Sequence, residues 1–161
     1  MIEIAIHTPL WVYVVFVGLL WLGWVQSKDR LVSYRLAFVM PILMFFVSIF
    51  GIASSFGLGF ALLGWCAGMT LSMALSIRLR VLYDAVFVAE KDAFAIKGSF
   101  LWLGIFMAIF WLKYAVGFSM AKNFTFVFET WFVVSIGVCY GVLSGFFLTR
   151  AVILWKIGSK K

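Results

Sequence analysis

Between Leu36 and Ile77 the chain carries no charged residue. As one helix that stretch would be about 63 Å long, about twice the ~30 Å hydrocarbon core of a bilayer. It must fold back. The corner falls in Ser54-Ser55-Phe56-Gly57-Leu58-Gly59, where two serines and two glycines favour a turn. This predicts helices over 36–54 and 58–77, with Pro41 in the early turns of the first or kinking it.

The rest of the chain repeats the pattern. An apolar run over 9–26 follows His7-Thr8-Pro9, where Thr8 can cap a helix and Pro9 suits its first turn. Trp11 and Trp24 stand near its two ends, as tryptophans do at a headgroup boundary. A fourth run covers 99–120 and contains one charge, Lys113. A fifth covers 129–150, and the tail Ala151-Val152-Ile153-Leu154-Trp155 can extend it. Only 78–99 reads as soluble, with the insert itself over 84–97. There Glu90-Lys91-Asp92 separates two short runs rich in Val, Phe and Ile. It is either a small β-hairpin or an amphipathic piece lying on a membrane surface. A lone hairpin is marginal in water, so it should lean on helix ends or headgroups.

Composition agrees with this pattern. Of 161 residues, 66% are hydrophobic and 12% charged, and the mean hydropathy is +1.16. A water-soluble domain of this size cannot hide so much apolar side chain. The expected fold is an all-α membrane protein: one transmembrane domain over 1–161, a five-helix bundle with a short cytoplasmic insert between helices three and four.

Charge orients the bundle. The formal charge is +7. Lys28, Arg30, Arg35, Arg78, Arg80, Lys91, Lys97, Arg150, Lys156, Lys160 and Lys161 fall on one side of a five-span layout, and Lys122 falls alone on the other. Short basic loops stay in the cytoplasm. The prediction is a multi-pass protein of a bacterial inner membrane, N-terminus outside and C-terminus cytoplasmic. The bases sit at the ends of apolar runs, which speaks for lipid rather than nucleic acid as the partner.

Two helices carry small residues four apart: Gly64, Gly68, Ser72 and Ser76 in the third, and Gly137, Gly141 and Gly145 in the fifth. Four residues is close to one turn, so each set lines a groove along one face. The plainer reading is packing within the fold. A homo-oligomer or another membrane protein seated in one groove is the alternative.

Few residues are candidates for chemistry. Lys113 lies within an apolar run, where a cation is costly and marks a functional site, unless its stem snorkels to the headgroups. The functional reading is a ligand or substrate cavity open to the outside, with Tyr114 beside Lys113 and Glu129 as its partner on the next helix. His7 is a weaker ligand-binding candidate, more simply a polar residue before a helix start. Cys66 and Cys139 lie at similar depth and could form a thiol pair. Each also sits two residues from a stripe glycine, about 200° around its helix, so facing stripes would turn both thiols outward. No nucleophile motif, phosphate loop, carboxylate pair or metal-ligand cluster stands in the sequence. No catalytic residue, metal or cofactor is expected, and the chain reads as a non-enzyme.

At His7-Thr8-Pro9-Leu10-Trp11, with Arg35, Pro41, Gly98-Ser99 and Lys113-Tyr114 further on, the chain resembles a family of small uncharacterised bacterial inner-membrane proteins with five predicted spans. The resemblance covers nearly the whole length and implies the architecture without an activity. In layout alone, the insert between spans three and four is similar to that of membrane proteins that assist cytochrome c biogenesis, a likeness that carries no residues and no function.

Overall fold

A computed structural model describes residues 10–57, 59–79, 85–88, 90 and 92–159. Among these, the elements run in chain order as α1 (Leu10–Gln26), β1 (Arg30–Ser33), α2 (Tyr34–Phe56), α3 (Phe60–Leu79), β2 (Ala85–Val88), β3 (Ala93–Ile96), α4 (Leu101–Ala121), a 3-10 turn (Thr125–Phe128) and α5 (Thr130–Gly158). Four helices, α2 to α5, are long and apolar enough to cross a membrane. The described part of α1 has 17 residues, about 26 Å of helix, and the first residue of the expected 9–26 segment lies outside the described residues.

The boundaries shift from the expected ones for local reasons. The helix before the corner continues through both serines to Phe56, where Ser54 Oγ donates back to the Gly51 carbonyl at 3.2 Å. It ends at Gly57, whose φ of 73° suits a residue without Cβ. Pro41 lies within α2, which runs on without a break. At 29 residues, α5 is about 43 Å long, far beyond the expected end at residue 150. Its apolar tail meets the sheet described next.

Of the two expected alternatives for the insert, the hairpin is the one formed: Ala85–Val88 and Ala93–Ile96 pair antiparallel, with Ala85 opposite Ile96 and Val88 opposite Ala93. Asp92 takes the left-handed conformation at the turn, φ 43°, which Asp tolerates better than most residues. A third strand, β1, comes from the charged loop after α1, and the strand order is β1-β3-β2. Its Leu31 and Val32 are too short a signal to read as a strand, because the pairing partner lies some sixty residues away in sequence.

By internal contacts the chain divides into two compact units, one of Met1–Arg30 with Lys97–Phe118 and the other of Leu31–Ile96 with Ser119–Lys161. In the first, α1 packs along α4. The rings of Phe16 and Phe110 meet at 4.9 Å, and Gly23 lies so close to Leu103 that a methyl group would collide with it. One end is tied by the Asp29 carboxylate, which accepts the Gly98 amide hydrogen at 2.7 Å. Gly98 passes directly over the Ser27 carbonyl, leaving no room for a Cβ.

In the second unit, α3 and α5 form the most extensive contact and α2 lies against α5. Positions along α3 and α5 climb together: Gly64 meets Val134, Gly68 meets Val138 and Gly141 meets Trp65. The two helices therefore run parallel. Along α2 the order reverses, since Ser48 reaches Tyr140 and Phe56 reaches Phe132, so α2 is antiparallel to both. The sheet covers the end of this unit where α2 begins and α5 finishes. Phe94 is fully buried in a small core with Ala37, Ala85, Ile96 and Leu154, flanked by Val32, Tyr34, Phe38, Phe87 and Ile157. Gly158 closes it, lying 2.9 Å, as a Cβ would measure it, from the Tyr34 ring.

Helix α4 stops in a Schellman turn. The Phe124 amide donates to Ser119 O at 3.2 Å and the Asn123 amide to Met120 O at 3.0 Å. Asn123 supplies the left-handed residue this turn needs, φ 52°.

Candidate functional site

The residues with the tightest surroundings are the two small-residue stripes, and the structure sets them face to face. A Cβ on Gly64 would strike the Val134 carbonyl, on Gly68 that of Val138, on Gly137 that of Ala61 and on Gly141 that of Trp65. Backbone touches backbone on alternate sides of the seam. Such an approach allows Cα–H···O contacts as well as dispersion. Gly145 continues the seam against Met69 and Ser72. Ser72 and Ser76 are buried. Both grooves are thus occupied by each other within one chain.

A buried polar node sits beside this seam. The Trp65 indole N–H donates to Ser48 Oγ at 2.9 Å and to Ser144 Oγ at 3.3 Å. Ser48 Oγ in turn donates to the Tyr140 carbonyl at 3.3 Å. Three helices, α2, α3 and α5, meet through one indole and two hydroxyls, all buried. The Phe45 ring stands edge-on against Trp65 at 5.3 Å. One turn further, Thr149 Oγ1 donates to the Gly145 carbonyl at 2.7 Å. Trp65 stands in mid-helix and buried, away from the boundary positions that Trp11 and Trp24 suggest for tryptophans. The available signal was its place between Gly64 and Gly68: an indole in mid-helix needs an acceptor when buried, and Ser48 and Ser144 are the hydroxyls at matching depth.

Lys113 and Tyr114 belong to α4 in the first unit, and Glu129 to the second. Lys113 is exposed. Tyr114 is half-buried, its ring nearly parallel to those of Phe110 and Phe118, with centroids 6.1 and 6.5 Å away. Glu129 precedes α5 and is exposed, its carbonyl accepting the amide hydrogens of Phe132 and Val133. A carboxylate there suits the positive end of the helix dipole. His7 lies outside the described residues. Cys66 and Cys139 are free and exposed, each turned away from the seam. Among the described residues, no three His, Cys, Asp or Glu side chains are grouped so as to hold a metal ion.

At the sheet, Arg30 is half-buried and its Nε has no hydrogen-bond partner. Burial pushes its guanidinium pKa below the ordinary arginine value.

Neither curated proteins nor solved structures yield a match to this chain. A family model does, over residues 1–161, and the chain belongs to that family, described as a family of unknown function (DUF6622).

Proposed function

We propose that the chain is a multi-pass membrane protein that serves as a non-enzymatic structural or assembly subunit. The membrane part is supported by which side chains face outward. On α2, Phe46 and Phe50 are 54% and 71% exposed, and on α3, Leu63 and Leu71 are 66% and 65% exposed. Water would not tolerate that surface, and lipid would. The charges of the second unit support the orientation. Arg35, Arg78 and Lys156 stand at the sheet end and Lys122 at the opposite end, which favours a cytoplasmic sheet in a bacterial inner membrane.

The observation that carries the assembly reading is where four of the unit's buried polar groups are spent. Trp65, Ser48, Ser144 and Thr149 hydrogen-bond to one another or to helix carbonyls. They hold helices and are not presented to a substrate. A body so fixed is suited to presenting apolar outer faces to a neighbouring membrane protein.

A second reading rests on Lys113. It is the only charge in the 21 residues of α4, and an intramembrane cation favours a ligand or substrate site. Native electrophoresis after mild detergent extraction separates the two. The assembly reading expects a particle larger than one chain in its micelle, unchanged by Lys113→Met. A particle of one chain, or an assembly lost in Lys113→Met, contradicts it and favours the lysine site.

A further inference from the structure

The three helices of the second unit can be matched level by level. Along α2 and α5, Phe56 meets Phe132, Ser48 meets Tyr140 and Tyr34 meets Gly158. By that correspondence Trp155 stands about level with Leu36, and Arg150 about level with Met40. Along α3, Met69 and Ser72 meet Gly145, so Arg78 stands about level with Arg150.

Two levels are candidates for the inner edge of the bilayer. The first is that of Arg78 and Arg150, where the sequence ends the last span. The second lies at Trp155, where α5 reaches its next charge, Lys156, and α2 its only one, Arg35. Exposed side chains distinguish them. Beyond the arginine level, Leu36 on α2 is 65% exposed, Leu79 on α3 60% and Trp155 on α5 58%, and Val39 is exposed as well. They stand on three helices, so they make a belt. Water tolerates such a belt poorly, and a surrounding layer fits it better than one partner seated on one side.

Length gives an independent measure. At the outer end of α5, Trp131 is exposed and stacks on Phe126. From Trp131 to Arg150 is about 29 Å of helix, close to the ~30 Å hydrocarbon core. From Trp131 to Trp155 is about 36 Å, within the ~40–45 Å that includes both headgroup layers. The arginines thus fall at the acyl edge and Trp155 in the headgroup layer, where tryptophan prefers to lie. Exposure of a tryptophan does not mark a boundary by itself, since Trp111 is exposed midway along α4 in the first unit. Spacing along one continuous helix does.

We propose that the inner headgroup layer surrounds the second unit as far as Trp155, so that the first turns of α2 and the tail of α5 are interfacial and not cytosolic. The proposal rests on the membrane reading above and moves the inner boundary beyond residue 150. The test uses the full chain with Cys66→Ala and Cys139→Ala. One environment-sensitive fluorophore is attached in turn at Leu36→Cys, Leu79→Cys and Trp155→Cys. The protein is reconstituted in vesicles of phosphatidylcholine and phosphatidylglycerol. Leu63→Cys is the control for acyl-chain contact and Ser159→Cys for water.

The expected result is loss of emission at all three positions with lipid brominated near the headgroup. Aqueous iodide should quench them several-fold less than it quenches the Ser159 probe. Iodide quenching equal to that at Ser159, with Leu63 still quenched by deep bromine, overturns the proposal and leaves the membrane reading standing. Shielding of any of the three from both quenchers also overturns it, because protein then covers part of the belt. A Leu63 probe untouched by bromine removes the membrane reading and the proposal with it.

Discussion

The two units solve the same problem by different means. In the second, α3 and α5 close until backbone meets backbone, and a shared indole fixes α2 to both. In the first, α1 and α4 meet through Phe16 against Phe110 and a notch at Gly23, and their ends are tied by the Asp29 carboxylate to the Gly98 amide and by the Gln26 carbonyl to the Ser99 amide. Glycine content does not separate them. Gly18, Gly104 and Gly117 in the first unit have nothing within 4 Å of where a Cβ would stand. What separates them is repetition at four-residue spacing, which keeps small residues on one face over several turns.

That contrast can be broken most severely at the seam. Gly141→Leu drives a side chain into the Trp65 carbonyl, in a place where neither backbone can yield. We expect a loss of about 3 kcal/mol or more, measured by reversible denaturant unfolding in mixed micelles. Gly104→Leu, in open space on α4, should leave stability within about 0.5 kcal/mol. Equal losses at both positions would mean that the seam is not special.

Next is the polar node. Trp65→Phe keeps most of the ring and removes the N–H that reaches Ser48 and Ser144. About 1 kcal/mol should be lost, the scale of such bonds between membrane helices. In a double-mutant cycle with Ser48→Ala the two losses should be less than additive.

The Asp29 clamp is expected to matter on a similar scale but locally. Asp29→Ala removes the acceptor for the Gly98 amide, worth about 1 kcal/mol. Hydrogen exchange should speed up at Gly98 and not along the α3–α5 seam. The smallest effect is at the end of α4. Asn123→Gly relieves a left-handed non-glycine residue, and a gain of up to about 1 kcal/mol is expected in thermal unfolding. Asn123→Val should reverse its sign.

Much of this architecture is legible in the residues. Uninterrupted apolar runs locate α2 to α5, because each is long and apolar enough to cross a bilayer and polar residues collect where it ends. The hairpin is legible from Glu90-Lys91-Asp92 set between two β-prone runs, and the seam from its glycine spacing. Local signals stop there. Strand β1 exists only through its pairing with β3, whereas the apolar tail already allows α5 to run past residue 150, where Leu154 and Ile157 meet the sheet's core. The Trp65 node needs three helices to be brought together before it has any meaning. For Lys113 the reverse holds: its place along the helix is plain, while the neighbours a site would need are not written in its own segment.

The central claim is that α5 crosses a membrane with the sheet end in the cytoplasm. Single cysteines at Lys122 and at Ser159, in a chain with Cys66→Ala and Cys139→Ala, test it most directly through labelling of intact bacterial cells, outer membrane permeabilised, with a maleimide that does not cross the inner membrane. The account predicts labelling of Lys122→Cys in intact cells and of Ser159→Cys only after the inner membrane is opened. Labelling of both positions from the same side would contradict it.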